Sequence, residues 1–222
     1  MQVFRQVTTL GLAALAAAPC LAAAPTAKSI GTKTVNVLVL NYDPVFKTQG
    51  NLRLHEYRRW SDPYKLTLKL IDDLRTASHG YVDYRVVEVI EYDGFPTKRN
   101  GFTYDEKGFL EVLKNPDTAV QGMTSFKTMF EQFDLARKIK EKNIGEIWLW
   151  GSPWFDWDEL HWKIPGDKIP YQTDNPWFYR PYDIPDVGKT IWIMGFSYER
   201  GEGEALEDFC HRIESVMSLT VG

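Results

Sequence analysis

The chain has 222 residues, of which 44% are hydrophobic, 14% aromatic and 25% charged, and these fractions are typical of a soluble globular domain. Its 26 basic and 30 acidic residues give a formal net charge of −4. This balance provides no extended basic surface, so nucleic acid is not expected as a partner. With two cysteines only, Cys20 and Cys210, a fold held by a disulfide framework is excluded.

Residues 1–24 predict a secretory signal peptide. Arg5 precedes an apolar run over residues 10–18, and the alanines at positions 22–24 offer a processing site. The run is too short for a comfortable membrane span, and no later stretch approaches 18 consecutive apolar residues. We therefore expect a secreted or periplasmic protein without stable membrane insertion, in which residues 25–222 form a single domain.

Strand and helix patterns alternate along the rest of the chain. Continuous apolar or β-branched runs predict strands, and apolar residues at helical spacing behind capping residues such as Asp62 predict helices. The predicted strands cover residues 35–43, 81–94, 146–154 and 189–198, and the predicted helices cover residues 62–80, 105–114, 125–142 and 203–218. This alternation predicts a three-layer α/β domain with a mainly parallel sheet and helices on both faces.

Acidic residues follow every predicted strand. Ligands bind at the carboxyl ends of the strands in such sheets, so these positions are candidates for a site. The acids are Asp43, Glu91, Asp93, Asp156, Asp158, Glu159, Glu199, Glu202 and Glu204. Asp and Glu also favour turns and helix N-termini for local reasons, which is the alternative explanation.

The last predicted helix carries the densest group of titratable side chains. Glu204, Glu207, His211 and Glu214 fall within about 80° of arc on one flank, beside an apolar stripe that includes Phe209 and Cys210. Together with Glu199, the residues Glu204, Glu207 and His211 are our candidate catalytic groups. His211, Glu207 and Glu214 are alternatively candidate ligands of a divalent cation. A solvated helix face would show the same pattern.

Residues 151–188 form a long loop rich in aromatic side chains and proline, which we expect to lie over the strand carboxyl ends. Exposed tryptophans stack on sugar rings, and nearby polar groups bind hydroxyls. The candidate substrate-binding residues are Trp154, Trp157, Trp177, Asp156, Asp158, Tyr198 and Arg200. The same rings would alternatively form a small core under the loop.

These residues lead to three functional hypotheses. The first is a secreted hydrolase that acts on a carbohydrate or cell-envelope glycan, because two carboxylates in different environments suffice to cleave a glycosidic bond. The second is a non-catalytic module that binds glycan or protein through the aromatic loop. The third is a secreted metal-dependent peptidase or esterase with His211 as one metal ligand.

Overall fold

The computed structural model describes residues 31–167 and 182–220, without the side chains of residues 167 and 218–220. The predicted signal peptide and Trp177 therefore lie outside the described residues. None of the described helices is long and apolar enough to cross a membrane.

Strands and helices alternate along the described chain much as the sequence predicts. The strands are β1 Lys33–Tyr42, β2 Val45–Phe46, β3 Leu52–Arg53, β4 Val82–Tyr92, β5 Ile144–Gly151, β6 Leu160–Lys163 and β7 Ile191–Ser197. The helices are α1 Leu54–Arg58, α2 Pro63–Ala77, α3 Glu106–Lys114, α4 Phe126–Gln132, α5 Leu135–Glu141 and α6 Glu202–Thr220.

Five strands form one central sheet in the order β4-β1-β5-β7-β6. β4, β1, β5 and β7 run parallel, and β6 pairs antiparallel with β7 at the edge. Helices α2 and α6 pack on one face, where Tyr84, Trp148 and Phe196 contact Phe209 of α6. The other face carries α4 and α5, and Leu135 and Ile139 of α5 are buried there. The predicted three-layer α/β fold is thus confirmed.

A bulge in the edge strand β4 changes which of its side chains face each side of the sheet. Val86 pairs with Val37 and Glu88 pairs with Leu38, so Val87 is an extra residue without a partner on β1. An inserted residue moves the following side chains to the opposite face of the sheet. Val86 before the bulge and Val89 and Glu91 after it consequently lie on the same face, which α2 covers.

Three sequence predictions about local structure are wrong. The helix predicted over residues 125–142 is broken into α4 and α5, because Asp134 adopts a left-handed conformation with φ 51°. Asp tolerates this conformation better than most residues. Within the predicted loop, β6 adds an antiparallel edge strand. Cys210, predicted to lie on the apolar stripe of the last helix, is exposed, and so are the apolar side chains of Ile213 and Met217 on the same helix.

The core-facing side of α6 instead contains charged residues. Ala205, Asp208 and Phe209 are buried, and Arg212 reaches the centre of the sheet, where it forms an ion pair with Glu146 of β5. The Arg212 guanidinium also donates to Tyr84 Oη over 3.1 Å and lies over the rings of Trp192 and Phe209. Trp148 Nε1 donates to Glu146 over 3.0 Å. Burial raises the pKa of Glu146, and the positive charge of Arg212 opposes part of that rise.

The buried pair of Arg212 and Glu146 leads to a prediction about the free energy of unfolding. Arg212→Met should lower the free energy of unfolding by about 3 to 5 kcal/mol, because it leaves the Glu146 carboxylate buried without a counter-charge. Adding Glu146→Gln should restore part of this loss, since the amide removes the charge and keeps an acceptor for Trp148. Denaturant unfolding of both variants measures the effect.

Arg137→Met is the matched control, because Arg137 pairs with Asp134 and Glu141 on the exposed surface. Its loss of stability should be much smaller than that of Arg212→Met, because solvent screens exposed ion pairs. Equal losses for the two arginine variants would show that the buried pair does not hold α6.

Candidate functional site

A cleft of about 650 Å³ lies at the carboxyl ends of β5 and β7, beside α6. Its volume is within the range of small-molecule sites in proteins. The lining residues come from the ends of these two strands, from the segment that leads into β6, and from α6: Ser152, Pro153, Trp157, Asp158, Glu159, Leu160, Trp162, Tyr182, Gly195, Phe196, Ser197, Arg200, Glu204, Asp208, His211, Glu214 and Ser215.

Two glycines seat Trp157 across the strand ends. A Cβ atom on Gly195 would lie 2.3 Å from the Asp158 carbonyl oxygen and 2.6 Å from the Trp157 ring, and one on Gly151 would lie 2.5 Å from the same ring. Any larger residue would therefore push this segment off the sheet. The two glycines let the indole pack closely on β5 and β7, where it lines the cleft.

Aromatic and hydroxyl groups form much of the remaining surface. Trp162 and Tyr182 line the cleft, and Tyr182 Oη donates to Asp158 Oδ2 over 3.0 Å. The Ser152 hydroxyl is buried at the end of β5, and no group in the described part of the chain hydrogen-bonds to it. Aromatic rings and the Ser152 hydroxyl together suit a ligand that has both apolar faces and hydroxyl groups.

Asp208 is the most unusual titratable group in the cleft. Asp208 is only 2% exposed, and no donor among the described residues reaches its Oδ1 atom. Burial and then the nearby negative charge of Glu159 raise the pKa of Asp208 to about 8, while Arg200 opposes the rise. The carboxyl group is therefore protonated at neutral pH, which gives the cleft an acid that can donate a proton.

Other charged side chains surround Asp208. Arg200, two residues before α6, forms an ion pair with Glu204 on the first turn of that helix. His211 Nδ1 lies 3.3 Å from Glu214, and His211 Nε2 lies 3.9 Å from Glu159. The cleft thus holds one buried neutral carboxyl group close to several other acidic and basic side chains, an arrangement that separates the roles of acid and base.

Many of the residues predicted from the sequence meet in this cleft. Glu204, His211 and Glu214 line it from α6, and Trp157, Asp158 and Arg200 line it from the adjoining segments. Asp208 does not stand out in the sequence. The candidate residues come from the helix flank with the most charged side chains, and Asp208 lies between that flank and the core. Its signal in the sequence is a carboxylate one position before the buried Phe209.

The other predicted site residues that the structure describes are not among those lining the cleft. Glu199 and Glu207 are exposed and do not line the cleft. Trp154 packs against Phe109 in the core. Tyr198 is fully buried, and its hydroxyl donates to the Tyr42 carbonyl oxygen over 3.1 Å.

Asp156 has a structural partner instead of a place in the cleft. It forms an ion pair with Lys98, whose side chain is 2% exposed and also donates to the Gly122 carbonyl oxygen. Asp156 adopts a left-handed conformation, and its carbonyl oxygen accepts a hydrogen bond from Thr124. These contacts tie the segment after β5 to the segment before α4, which holds Trp157 in position.

The predicted metal ligands do not converge. Within residues 31–167 and 182–220, no group of three or more His, Cys, Asp or Glu side chains is arranged to hold a metal ion. Glu207 is exposed and lies outside the cleft that His211 and Glu214 line. The described side chains thus offer acid and base groups without a ready set of cation ligands.

The strand order places the topological switch point between β1 and β5, where a ligand site is common in such sheets. Here the space is taken by protein side chains. Asp43 follows β1, is 1% exposed, and accepts hydrogen bonds from the backbone N–H of His55 over 3.1 Å and from Nδ1 over 2.6 Å. The hydrogen bond between the two side chains, from His55 Nδ1 to the Asp43 carboxylate, raises the pKa of His55. The buried Tyr198 packs beside His55, so the cleft lies one strand further along, between β5 and β7.

Comparison with known proteins returns no match: no family model, no curated protein and no solved structure resembles the chain. The geometry of the cleft is therefore the basis on which a function is inferred.

The raised pKa of Asp208 predicts a dependence of stability on pH. The group takes up a proton more readily in the folded chain than in the unfolded chain, where its ordinary value of 3.8 applies. Its contribution to stability is therefore greatest below about pH 4, declines as the pH rises to about 8, and is constant above that. Asp208→Asn should remove this decline.

The measurement is the thermal unfolding midpoint of the wild type and of the variant between pH 4 and pH 9. Asp72→Asn, an exposed position on α2, is the matched control and should keep the wild-type slope. Parallel curves for the wild type and Asp208→Asn would contradict the assignment of a raised pKa to this carboxyl group.

Proposed function

We propose that the protein is a secreted or periplasmic hydrolase that cleaves a glycosidic bond in a carbohydrate or cell-envelope glycan. The location rests on the signal-peptide pattern of residues 1–24. The activity rests on one observation: a buried carboxyl group, Asp208, lies beside Glu159 in a cleft that has indole and phenol walls.

The two carboxyl groups suit the two roles that glycoside hydrolysis requires. Asp208 carries a proton at neutral pH and acts as the general acid, donating it to the glycosidic oxygen as the bond from that oxygen to the anomeric carbon breaks. Glu159 is half exposed to solvent and acts as the base, taking a proton from the water that attacks the anomeric carbon. The water supplies the hydroxyl group of one product, and the proton from Asp208 completes the other.

The remaining side chains of the cleft position the sugar. Trp157 and Trp162 offer ring faces for stacking, and the Ser152 hydroxyl and the Asp158 carboxylate offer hydrogen bonds to sugar hydroxyls. His211 lies 3.9 Å from Glu159, so it can stabilise the negative charge of that base. The ion pair of Arg200 with Glu204 holds a positive charge beside Asp208.

Activity tests this assignment. Incubation of the mature protein with a panel of insoluble polysaccharides should remove protein from solution and release soluble reducing ends. Asp208→Asn and Glu159→Gln should each lower the release by about 100-fold or more while binding persists, since general acid or base catalysis contributes factors of this size. Asp72→Asn should keep full activity.

The alternatives are distinguishable in the same assay. Binding without any release by the wild type would identify a non-catalytic glycan-binding module. Release that Asp208→Asn leaves unchanged would exclude Asp208 as the acid. Neither binding nor release would overturn the choice of a glycan as substrate.

The pH profile provides a separate prediction. A general acid works only while protonated, so the rate should fall as the pH rises through about 8, the pKa of Asp208. Initial rates between pH 5 and pH 10 on a soluble fragment of the preferred polysaccharide measure this fall. A rate that stays constant to pH 10 would contradict the assigned role.

A further inference from the structure

A second pocket, of about 240 Å³, lies between α2 and the carboxyl halves of β1 and β4, and we call it the β1–β4 pocket. It shares no lining residue with the cleft beside α6. The polar side chains that line it include Asn41, which is buried and forms the floor, and Glu91, which is exposed. The two residues are register partners on β1 and β4. The bulge at Val87 is the reason that Glu91 faces α2 at this point.

The floor has an acceptor without a donor. Asn41 Nδ2 donates to Glu91 Oε2 over 2.7 Å, and because a carboxylate only accepts, this contact determines which end of the amide is the carbonyl oxygen. Asn41 is 2% exposed, and no donor in the described part of the chain reaches Oδ1. A buried carbonyl oxygen left without a donor costs free energy, so a ligand that brings an N–H group would be favoured here.

The walls of the pocket are apolar except for Thr67, whose buried hydroxyl donates to the Pro63 carbonyl oxygen over 2.9 Å. Val39, Pro63 and Val86 lie on the inner side, and Tyr64, Leu68 and Val89 lie at the mouth, where they are 55%, 50% and 38% exposed. None of the lining residues is basic, so the Glu91 carboxylate is the only charge that they contribute. The pocket therefore combines a buried acceptor at the floor and an exposed carboxylate with a largely apolar surround.

We propose that the β1–β4 pocket binds the ammonium group of a small primary amine with a short apolar chain. An ammonium group has three donors and no acceptor, so it can donate to both Asn41 Oδ1 and the Glu91 carboxylate. A hydroxyl group has only one donor hydrogen and no positive charge to match the carboxylate. The apolar chain packs on Val86, Leu68 and Val89. The volume is below that of sites for drug-sized molecules, so the ligand is correspondingly small.

The first test uses n-butylamine as the probe. Backbone amide chemical shifts of the full mature protein are followed during titration at pH 7 with n-butylammonium, n-butanol or butyrate. We expect saturable shifts at residues of β1, β4 and α2 with the ammonium ion, weaker binding of the alcohol and none of butyrate. Equal affinity for the alcohol, stronger binding of butyrate, or no saturable shift would overturn the proposal.

Variants locate the probe. Glu91→Gln should weaken n-butylammonium binding by about tenfold or more, because it removes the charged acceptor. Glu111→Gln, an exposed position on α3 outside the pocket, is the matched control and should bind normally. Val89→Phe, which fills the mouth without touching the polar floor, should abolish binding. Unchanged affinity in Glu91→Gln and Val89→Phe would refute the site, whatever the hydrolase assay shows.

Discussion

The position of α6 depends on one buried ion pair, between Arg212 on the helix and Glu146 at the centre of the sheet. Asp208 lies one helical turn before Arg212, so the same contact that holds the helix also sets where the acidic group meets the ends of β5 and β7. Charges taken out of water need close partners, and Trp148 and Tyr84 complete the set. The cleft is thus built on a polar contact inside an otherwise aromatic layer.

Strand order decides which of the acidic strand ends meet. The residues after β5 and β7 come together beside α6, whereas Asp43 after β1 is enclosed by His55 and Arg53. Glu91 after β4 joins Asn41 on the face covered by α2. The four acidic strand ends therefore do not form one site: they are divided between a cleft, a closed structural contact and a small pocket.

The fold was accessible from the sequence because continuous apolar strands and capped amphipathic helices leave strong local patterns. The cap at Asp62, for example, accepts hydrogen bonds from Tyr64 and Lys65 as its sequence predicts. What depends on long-range contacts could not be predicted. The burial of Asp208 follows from the rotation of α6 that Arg212 imposes, and the Lys98 partner of Asp156 lies 58 residues away in the chain. Helical periodicity alone favours the more hydrophobic stripe, which here would have buried Cys210.

The bulge at Val87 has a consequence for solubility. β4 is an edge strand of eleven residues, long enough to serve as a template for strand addition by another molecule. An extra residue increases the local twist and interrupts the regular row of backbone donors and acceptors. Asp83 and Arg85 add charge along the same strand. This edge is thereby protected against aggregation through strand pairing, a hazard that grows whenever partly folded chains are crowded together.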